Sequence, residues 1–305
     1  MSLVPYKGVE IFNEDGTFKK EDDKVQGRSY SSNLTKLLKQ LPKLQNLQEG
    51  KKASPVMAHI SLTNSCNLTC SFCCFANRDI SEKMPTEKVF QALESFKAIG
   101  VTGVEFTGGG EPSIHPDFKA IVNYAKDLGF SLGICTNAAR FGKDRQIKKD
   151  IVELFDWVRM GMYGFYEGYD YDLSVFEGTN CKPSAAYVWD ENLETSENPN
   201  ITGEWSDVKN KRVLSKKFQT TENFIRMLDW VEENKIPCRI AFNAIKDVKE
   251  TAKDIETIRE IIAEYENDRG RKLKSAFLSD FNFKGERRND HCYMHMVKPF
   301  LFTDG

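Results

Sequence analysis

Short apolar runs alternate with stretches of helical periodicity between residues 56 and 280. The apolar runs predict strands over 57–62, 103–107, 130–135, 157–162, 238–244 and 275–279. Between them, apolar residues three and four positions apart predict helices over 86–99, 116–128, 145–155, 221–234 and 251–266. Strands that alternate with helices form parallel sheets, and right-handed crossovers curl such a sheet. The pattern therefore predicts an α/β fold, a partial (β/α)6 TIM-like barrel with parallel strands over residues 56–280.

Two segments depart from this rhythm. Residues 1–55 predict a separate lead-in, with a hairpin over 9–18 and a short helix, marked by leucines up to Leu41, that Pro42 should interrupt. Residues 163–217 are polar and rich in aromatic side chains, without a clear strand or helix pattern. Long segments of this kind inside a compact domain are usually functional, so we interpret 163–217 as an insert that forms a lid or substrate loop.

Composition narrows the class of protein. The chain has 305 residues, 40% of them hydrophobic, which is enough to bury one large core. Its net charge of -2 gives no general attraction for nucleic acid. The sequence shows neither a secretory leader nor an apolar run of membrane-spanning length, so we expect a cytoplasmic protein. In the cytosol, its eight cysteines are expected to be ligands or buried thiols rather than disulfides.

Three cysteines follow the first predicted strand with a spacing typical of a metal site. Cys66, Cys70 and Cys73 lie on a loop at the carboxyl end of that strand, where barrel enzymes place their active sites. Three thiolates can ligate three irons of a [4Fe-4S] cluster, which leaves the fourth iron open for a substrate. Structural zinc is the alternative, but it needs a fourth ligand, and the nearest histidines are His59 and His115.

This C-x3-C-x2-C loop, with Phe72 before the third cysteine, resembles the signature of the radical S-adenosylmethionine (radical SAM) superfamily. The resemblance implies that the open iron binds the amino and carboxylate groups of the methionine moiety. One electron then cleaves S-adenosylmethionine to methionine and a 5′-deoxyadenosyl radical, which abstracts hydrogen from a substrate. Cys66, Cys70 and Cys73 are then both metal ligands and catalytic residues, and Phe72 is expected near the adenine.

Further residues at the ends of the predicted strands resemble the cofactor-binding motifs of that superfamily. Gly108, Gly109, Gly110 and Glu111 follow the second strand and resemble its GGE motif, which implies contact with the methionine ammonium group. Thr136 and Asn137 end the third strand, where Ala138 replaces a glycine that many members have. Arg159 on strand four is a candidate partner of the cofactor carboxylate or else a surface residue, and Asn243 is a candidate near the ribose.

Residues 281–305 predict the beginning of a C-terminal extension. Residues 300–305 read as a strand that enters an Asp-Gly turn, and the chain stops where the second strand should begin, which predicts a longer parent protein. Cys292, followed by Gly305, resembles the opening of a SPASM or twitch domain. That resemblance implies an auxiliary iron-sulfur cluster ligated by Cys292 in the longer form; the alternative is an ordinary thiol.

The leading hypothesis is thus a radical SAM oxidoreductase or maturase that acts on a peptide or protein side chain or on a small metabolite. It would need an electron donor such as flavodoxin or ferredoxin. Modification of RNA or a nucleotide precursor is a second hypothesis, supported by a small basic stretch at 209–217. A nonenzymatic zinc or iron-sulfur binding module is the third, but such a module has no use for a cofactor-binding GGE motif.

Overall fold

The structure is a computed structural model that describes residues 41–51, 54–70, 72–73, 75, 78–189, 220–242, 248–278 and 300–303. The predictions for the hairpin at 9–18 and for Asn243 and Cys292 lie outside the described residues. No helix among the described residues is both long enough and apolar enough to cross a membrane.

The described strands form one parallel eight-stranded sheet in the order β7-β6-β5-β4-β3-β2-β1-β8. The strands are β1 Met57–Ile60, β2 Gly103–Phe106, β3 Ser131–Thr136, β4 Trp157–Gly161, β5 Lys182–Trp189, β6 Cys238–Phe242, β7 Ala276–Leu278 and β8 Phe300–Leu301. This open parallel sheet confirms the predicted α/β partial barrel. The six predicted barrel strands omit β5, and β8, which begins the strand predicted over 300–305, pairs with β1 and extends the sheet.

Strand β5 lies inside the insert at 163–217, for which the sequence predicts no regular structure. That expectation is wrong for the described first part, which contains the one-turn helix Gly164–Glu167, the 3-10 helix Ser174–Phe176 and β5. Strand β5 pairs with β4 on one side and β6 on the other. Pairing on both edges supplies a complete hydrogen-bond ladder, so tertiary context overrides the weak local strand pattern.

Seven α-helices connect or flank the strands within the described residues. They are α1 Leu41–Gln48, α2 Thr86–Ala98, α3 Phe118–Asp127, α4 Lys149–Val152, α5 Gly164–Glu167, α6 Thr221–Glu233 and α7 Val248–Asp268. Thr220 caps α6, because its side chain accepts a hydrogen bond from the Asn223 backbone N–H. The helix predicted over 145–155 shrinks to the single turn α4, because Phe141 and Ile147 form a β-bridge instead.

The helix predicted before Pro42 lies, apart from Leu41, outside the described residues. Pro42 is the second residue of the described helix α1. Proline lacks a backbone N–H, but the first turn of a helix has no intrahelical acceptor for that group, so proline is tolerated there.

The two faces of the sheet differ in chemistry. One face packs against the helices and carries fully buried apolar side chains, such as Ile60 and Phe106. The alternate residues of the strands point to the opposite, inner face. Charged and thiol side chains occupy this inner face on five strands: His59, Glu105, Cys135, Arg159 and Arg239. The inner face therefore offers a polar lining below the edge where the strands end.

Candidate active site

The three predicted cluster ligands lie on the loop that follows β1. We call Cys66 to Cys73 the cysteine loop. All three thiols are half-buried and none is in a disulfide. The Cys66 Sγ atom accepts a hydrogen bond from the Leu68 backbone N–H at 3.5 Å, and the Cys73 N–H donates to the Cys70 carbonyl at 3.1 Å. The three cysteines thus lie on one short loop that follows the carboxyl end of β1.

The GGE segment, Gly108 to Glu111, packs directly against the residues that lead into the cysteine loop. The Gly110 N–H donates to the Thr63 carbonyl at 2.6 Å, and the Glu111 N–H donates to the Ser65 carbonyl at 2.8 Å. A Cβ atom on Gly110 would overlap the Ser65 carbonyl oxygen. Glycine is therefore required here because two backbone segments approach each other more closely than a side chain permits.

Glu111 is a buried carboxylate whose oxygens accept hydrogen bonds from within the protein. They accept from the Ser113 N–H at 3.2 Å, the Ser113 hydroxyl at 2.7 Å, the Thr136 hydroxyl at 2.6 Å and the Asn137 N–H at 2.7 Å. Burial raises the pKa of Glu111, while these donors oppose that shift. Glu111 thereby joins the GGE segment to the end of β3.

Thr136 and Asn137 are brought to the cysteine loop by the end of β3. The Asn137 side-chain amide donates to the Asn67 side-chain oxygen at 2.7 Å and lies 3.8 Å from Cys66 Sγ. Ala138 has a φ angle of 58°, in the left-handed region that favours glycine. Its conformation explains why related motifs have glycine at this position.

Phe72 belongs to the cysteine loop, Tyr163 and Tyr169 lie beside it, and we call these three rings the aromatic wall. The sequence did not predict that the two tyrosines lie at this site. The rings of Phe72 and Tyr163 are 5.0 Å apart, and the Tyr169 hydroxyl donates to the Asn137 carbonyl at 2.8 Å. Burial is the main cause that raises the pKa of Tyr163, followed by the charge of Cys70. The sequence marked both tyrosines only as members of an aromatic-rich insert, because no local pattern separates a site residue from a core residue there.

Arg159 lies deeper than the cysteine loop, on the inner face of β4. Its Nη2 atom is 2.8 Å from Cys135 Sγ and 3.4 Å from Glu105 Oε1. Contact with the Cys135 sulfur and, to a smaller extent, with the Glu105 carboxylate raises the pKa of Arg159, while burial opposes that shift. Arg159 is therefore a half-buried lining residue and not an exposed surface side chain.

The residues of this site fit an iron-sulfur cluster with a bound small molecule. Thiolates are the ligands that such clusters prefer. The Ser61 hydroxyl is buried beside Gly109 and has no hydrogen-bond partner among the described residues, so it can form a hydrogen bond with a bound ligand. Within the same part of the chain, no group of three or more His, Cys, Asp or Glu side chains surrounds a point that one metal ion would occupy.

The sequence profile of the Radical SAM superfamily matches residues 60–169. The matched stretch contains the cysteine loop, the GGE segment and the carboxyl ends of β3 and β4. Residues 60–169 of this chain are therefore similar to the radical SAM superfamily. Members of this superfamily use a [4Fe-4S] cluster and S-adenosylmethionine, and cleavage of that molecule to a radical is their general mechanism.

Two curated relatives match limited parts of the chain. The S-adenosylmethionine-dependent nucleotide dehydratase of Selenomonas ruminantium is 33% identical over 98 residues, which are 32% of this chain and 35% of that protein. The sporulation killing factor maturation protein SkfB of Bacillus subtilis is 28% identical over 95 residues, which are 31% of this chain and 23% of that protein. The matched segments thus span about a third or less of these relatives.

A solved structure resembles this chain over most of its length. The crystal structure of Streptococcus suis SuiB bound to S-adenosylmethionine aligns with a TM-score of 0.52 and 18% sequence identity. The alignment covers 91% of this chain and 67% of that chain. The likeness supports the partial barrel fold.

Proposed function

We propose that this protein is a radical SAM enzyme, an oxidoreductase or maturase that abstracts hydrogen from its substrate. Cys66, Cys70 and Cys73 would hold the [4Fe-4S] cluster. The cluster, when bound, supplies the electron that cleaves S-adenosylmethionine to methionine and a 5′-deoxyadenosyl radical. The observation that carries the proposal is the joining of the cysteine loop to the GGE segment by two backbone hydrogen bonds, since both elements are needed to present the cofactor.

The GGE segment would contribute its backbone to the methionine ammonium group. Carbonyl oxygens accept hydrogen bonds from an ammonium group, and glycine allows a ligand to approach them closely. The carboxylate of Glu111 already accepts four hydrogen bonds from protein donors. We therefore assign Glu111 a positioning role, in which it fixes the GGE segment relative to Thr136 and Asn137.

Phe72 and Tyr163 would shield the site from water. Their rings pack 5.0 Å apart beside the cysteine loop, and an aromatic surface suits the planar adenine of the cofactor. Asn137 would orient the loop through its contacts with Asn67 and Cys66 Sγ. A dry and rigid pocket of this kind protects a reactive intermediate from side reactions.

A peptide or protein side chain, or a small metabolite, is the substrate class we propose first. The similarity to the maturation protein SkfB supports the peptide. The similarity to a nucleotide dehydratase supports a nucleotide precursor as the second candidate. A flavodoxin or ferredoxin in the cytoplasm would supply the electron. The SPASM-type extension with Cys292 remains a prediction, because Cys292 lies outside the described residues.

Matched cysteine variants test this function. We expect Cys70→Ala to lose most of the iron bound after anaerobic reconstitution and to form no 5′-deoxyadenosine. Cys181→Ala is the control, because Cys181 is buried directly before β5, at the amino end of the strands, whereas the cysteine loop lies at their carboxyl end. It should retain iron and activity. Full iron content in Cys70→Ala would contradict the ligand assignment.

A further inference from the structure

Two arginines, Arg159 and Arg239, lie on the inner face of the sheet and are not among the proposed cluster ligands. Arg159 is on β4 and Arg239 is on β6. Cys238 and Ile240, the neighbours of Arg239, are fully buried in the core, so the alternation of the strand points Arg239 to the inner face. Arg159 reaches the same face, where it contacts Cys135.

The space between the two arginines is lined by small residues. Arg159 is in register with Ser184 on β5, and Arg239 is in register with Ala186 of the same strand. Gly161 lies opposite Ala186 on β4. Neighbouring strands are about 4.8 Å apart, so β4 and β6 are about 10 Å apart across β5. The side chains of β5 between the arginines are therefore short, and a ligand group that contacts both arginines would lie against β5, below the Tyr163 ring that covers Gly161.

Tyr163 links the region between the two arginines to the cofactor site. Its ring turns back over Gly161, since a Cβ atom there would lie 2.5 Å from Tyr163 Cε2. The same ring packs against Phe72 of the cysteine loop. The charges of both Arg159 and Arg239 act on Tyr163. The arginines therefore lie just below the aromatic wall, on the inner side of the site.

The charges on this face do not balance among the described residues. Glu105 is the carboxylate there, and it is shared between His59 Nε2 at 2.8 Å and Arg159 Nη2 at 3.4 Å. Within the same residues, the buried Nε atom of Arg239 has no hydrogen-bond partner. Burial, and next the positive charge of Arg159, lower the pKa of Arg239. A half-buried cation in this setting is stabilised by a bound anion.

We propose that Arg239, together with Arg159, binds an anionic group of the substrate, a phosphate or a carboxylate, on the inner face of the sheet. Guanidinium groups bind both kinds of oxygen anion through paired hydrogen bonds. This inference rests on the proposed function, because it places the substrate below the aromatic wall next to the cofactor. It narrows the substrate to an anionic molecule.

Binding of simple anions to the full chain tests the proposal. Inorganic phosphate and acetate are titrated into the anaerobically reconstituted protein by calorimetry, and each anion is also tested for its effect on the melting temperature. We expect one of them to bind and to raise the melting temperature, as a ligand specific for the folded state does. The anion that binds more tightly identifies the group as phosphate or carboxylate. Arg239→Gln should weaken binding at least about tenfold, the effect of losing a charge-assisted hydrogen bond.

Arg271→Gln is the matched control, because it removes the same charge from an exposed position after α7. It should bind the anion as the wild type does. Arg239→Lys changes the same position but keeps the positive charge, so it should retain part of the affinity. This result would show that weak binding in Arg239→Gln comes from the lost charge and not from a folding defect. Unchanged anion binding in Arg239→Gln, or no binding of either anion to the wild type, would overturn the proposal.

Saturating S-adenosylmethionine separates the substrate from the cofactor. We expect the anion to bind equally well in its presence. Displacement of the anion would mean that the arginines hold the cofactor carboxylate, which contradicts the proposal. The titration is also made with the cluster-free chain. Anion binding there without any iron incorporation on reconstitution would leave this anion site standing while the proposed radical SAM function fails.

Discussion

Adding one methyl group at Gly110 tests how the GGE segment is held against the cysteine loop. In Gly110→Ala, the new Cβ atom would overlap the Ser65 carbonyl oxygen and lie 2.6 Å from the Asn64 carbonyl carbon. Both neighbours are backbone atoms, so no side-chain rotation can relieve the contact. The two segments must move apart to reach ordinary van der Waals separation.

Such a movement breaks the hydrogen bonds that join the segments. The bonds from the Gly110 N–H to Thr63 at 2.6 Å and from the Glu111 N–H to Ser65 at 2.8 Å both span this contact. Each is worth about 1 kcal/mol, and overpacking adds about 1–3 kcal/mol. We therefore expect Gly110→Ala to lower the free energy of unfolding by about 3–5 kcal/mol.

Gly103→Ala, at the start of the strand β2 that precedes the GGE segment, is the control. A Cβ atom there meets the Ser131 carbonyl oxygen at an ordinary 3.5 Å. Urea unfolding of the cluster-free variants and iron content after reconstitution are the measurements. We expect Gly103→Ala to resemble the wild type, whereas Gly110→Ala should lose both stability and iron. Equal unfolding free energies for the two variants would refute the close approach described here.

Two further predictions concern buried groups. Glu111→Gln replaces acceptor oxygens that face four donors, so it should lower the free energy of unfolding by about 2–4 kcal/mol in urea unfolding. Glu153→Gln, at the exposed C-cap of α4, is the control and should change the free energy of unfolding little. A similar loss in both variants would count against the positioning role of Glu111. Burial raises the pKa of Cys181 to about 12, so its thiolate fraction at pH 8 is on the order of 10⁻⁴. Iodoacetamide should therefore modify the three thiols of the cysteine loop in the cluster-free protein well before Cys181, as measured by mass spectrometry, and equal rates would contradict this burial.

The alternation of strands and helices was readable from the sequence because each helix buries one apolar face. Val89 and Leu93 of α2 are fully buried, as their helical spacing predicts. Strand β5 was not readable, because its position depends on pairing with both β4 and β6. Short central strands carry little local signal when their partners are distant in sequence.

Some residues of the candidate site could likewise be predicted from the sequence, and others could not. The cysteine loop and the GGE segment carry close spacings and glycines that are visible in the sequence. Arg239, in contrast, is one basic residue among many, and only the register of β6 against β5 places it on the inner face. Likewise, Glu82 accepts hydrogen bonds from Asn64 at 3.0 Å and from Thr303 at 3.3 Å, a contact between distant segments that no local pattern reveals.

Electron paramagnetic resonance of the reconstituted, reduced protein, with and without S-adenosylmethionine, tests the central claim most directly. We expect a [4Fe-4S] signal that changes when S-adenosylmethionine is added, together with formation of 5′-deoxyadenosine in the same sample. Bound zinc without an iron-sulfur signal, or a cluster signal that S-adenosylmethionine leaves unchanged with no 5′-deoxyadenosine formed, would contradict it.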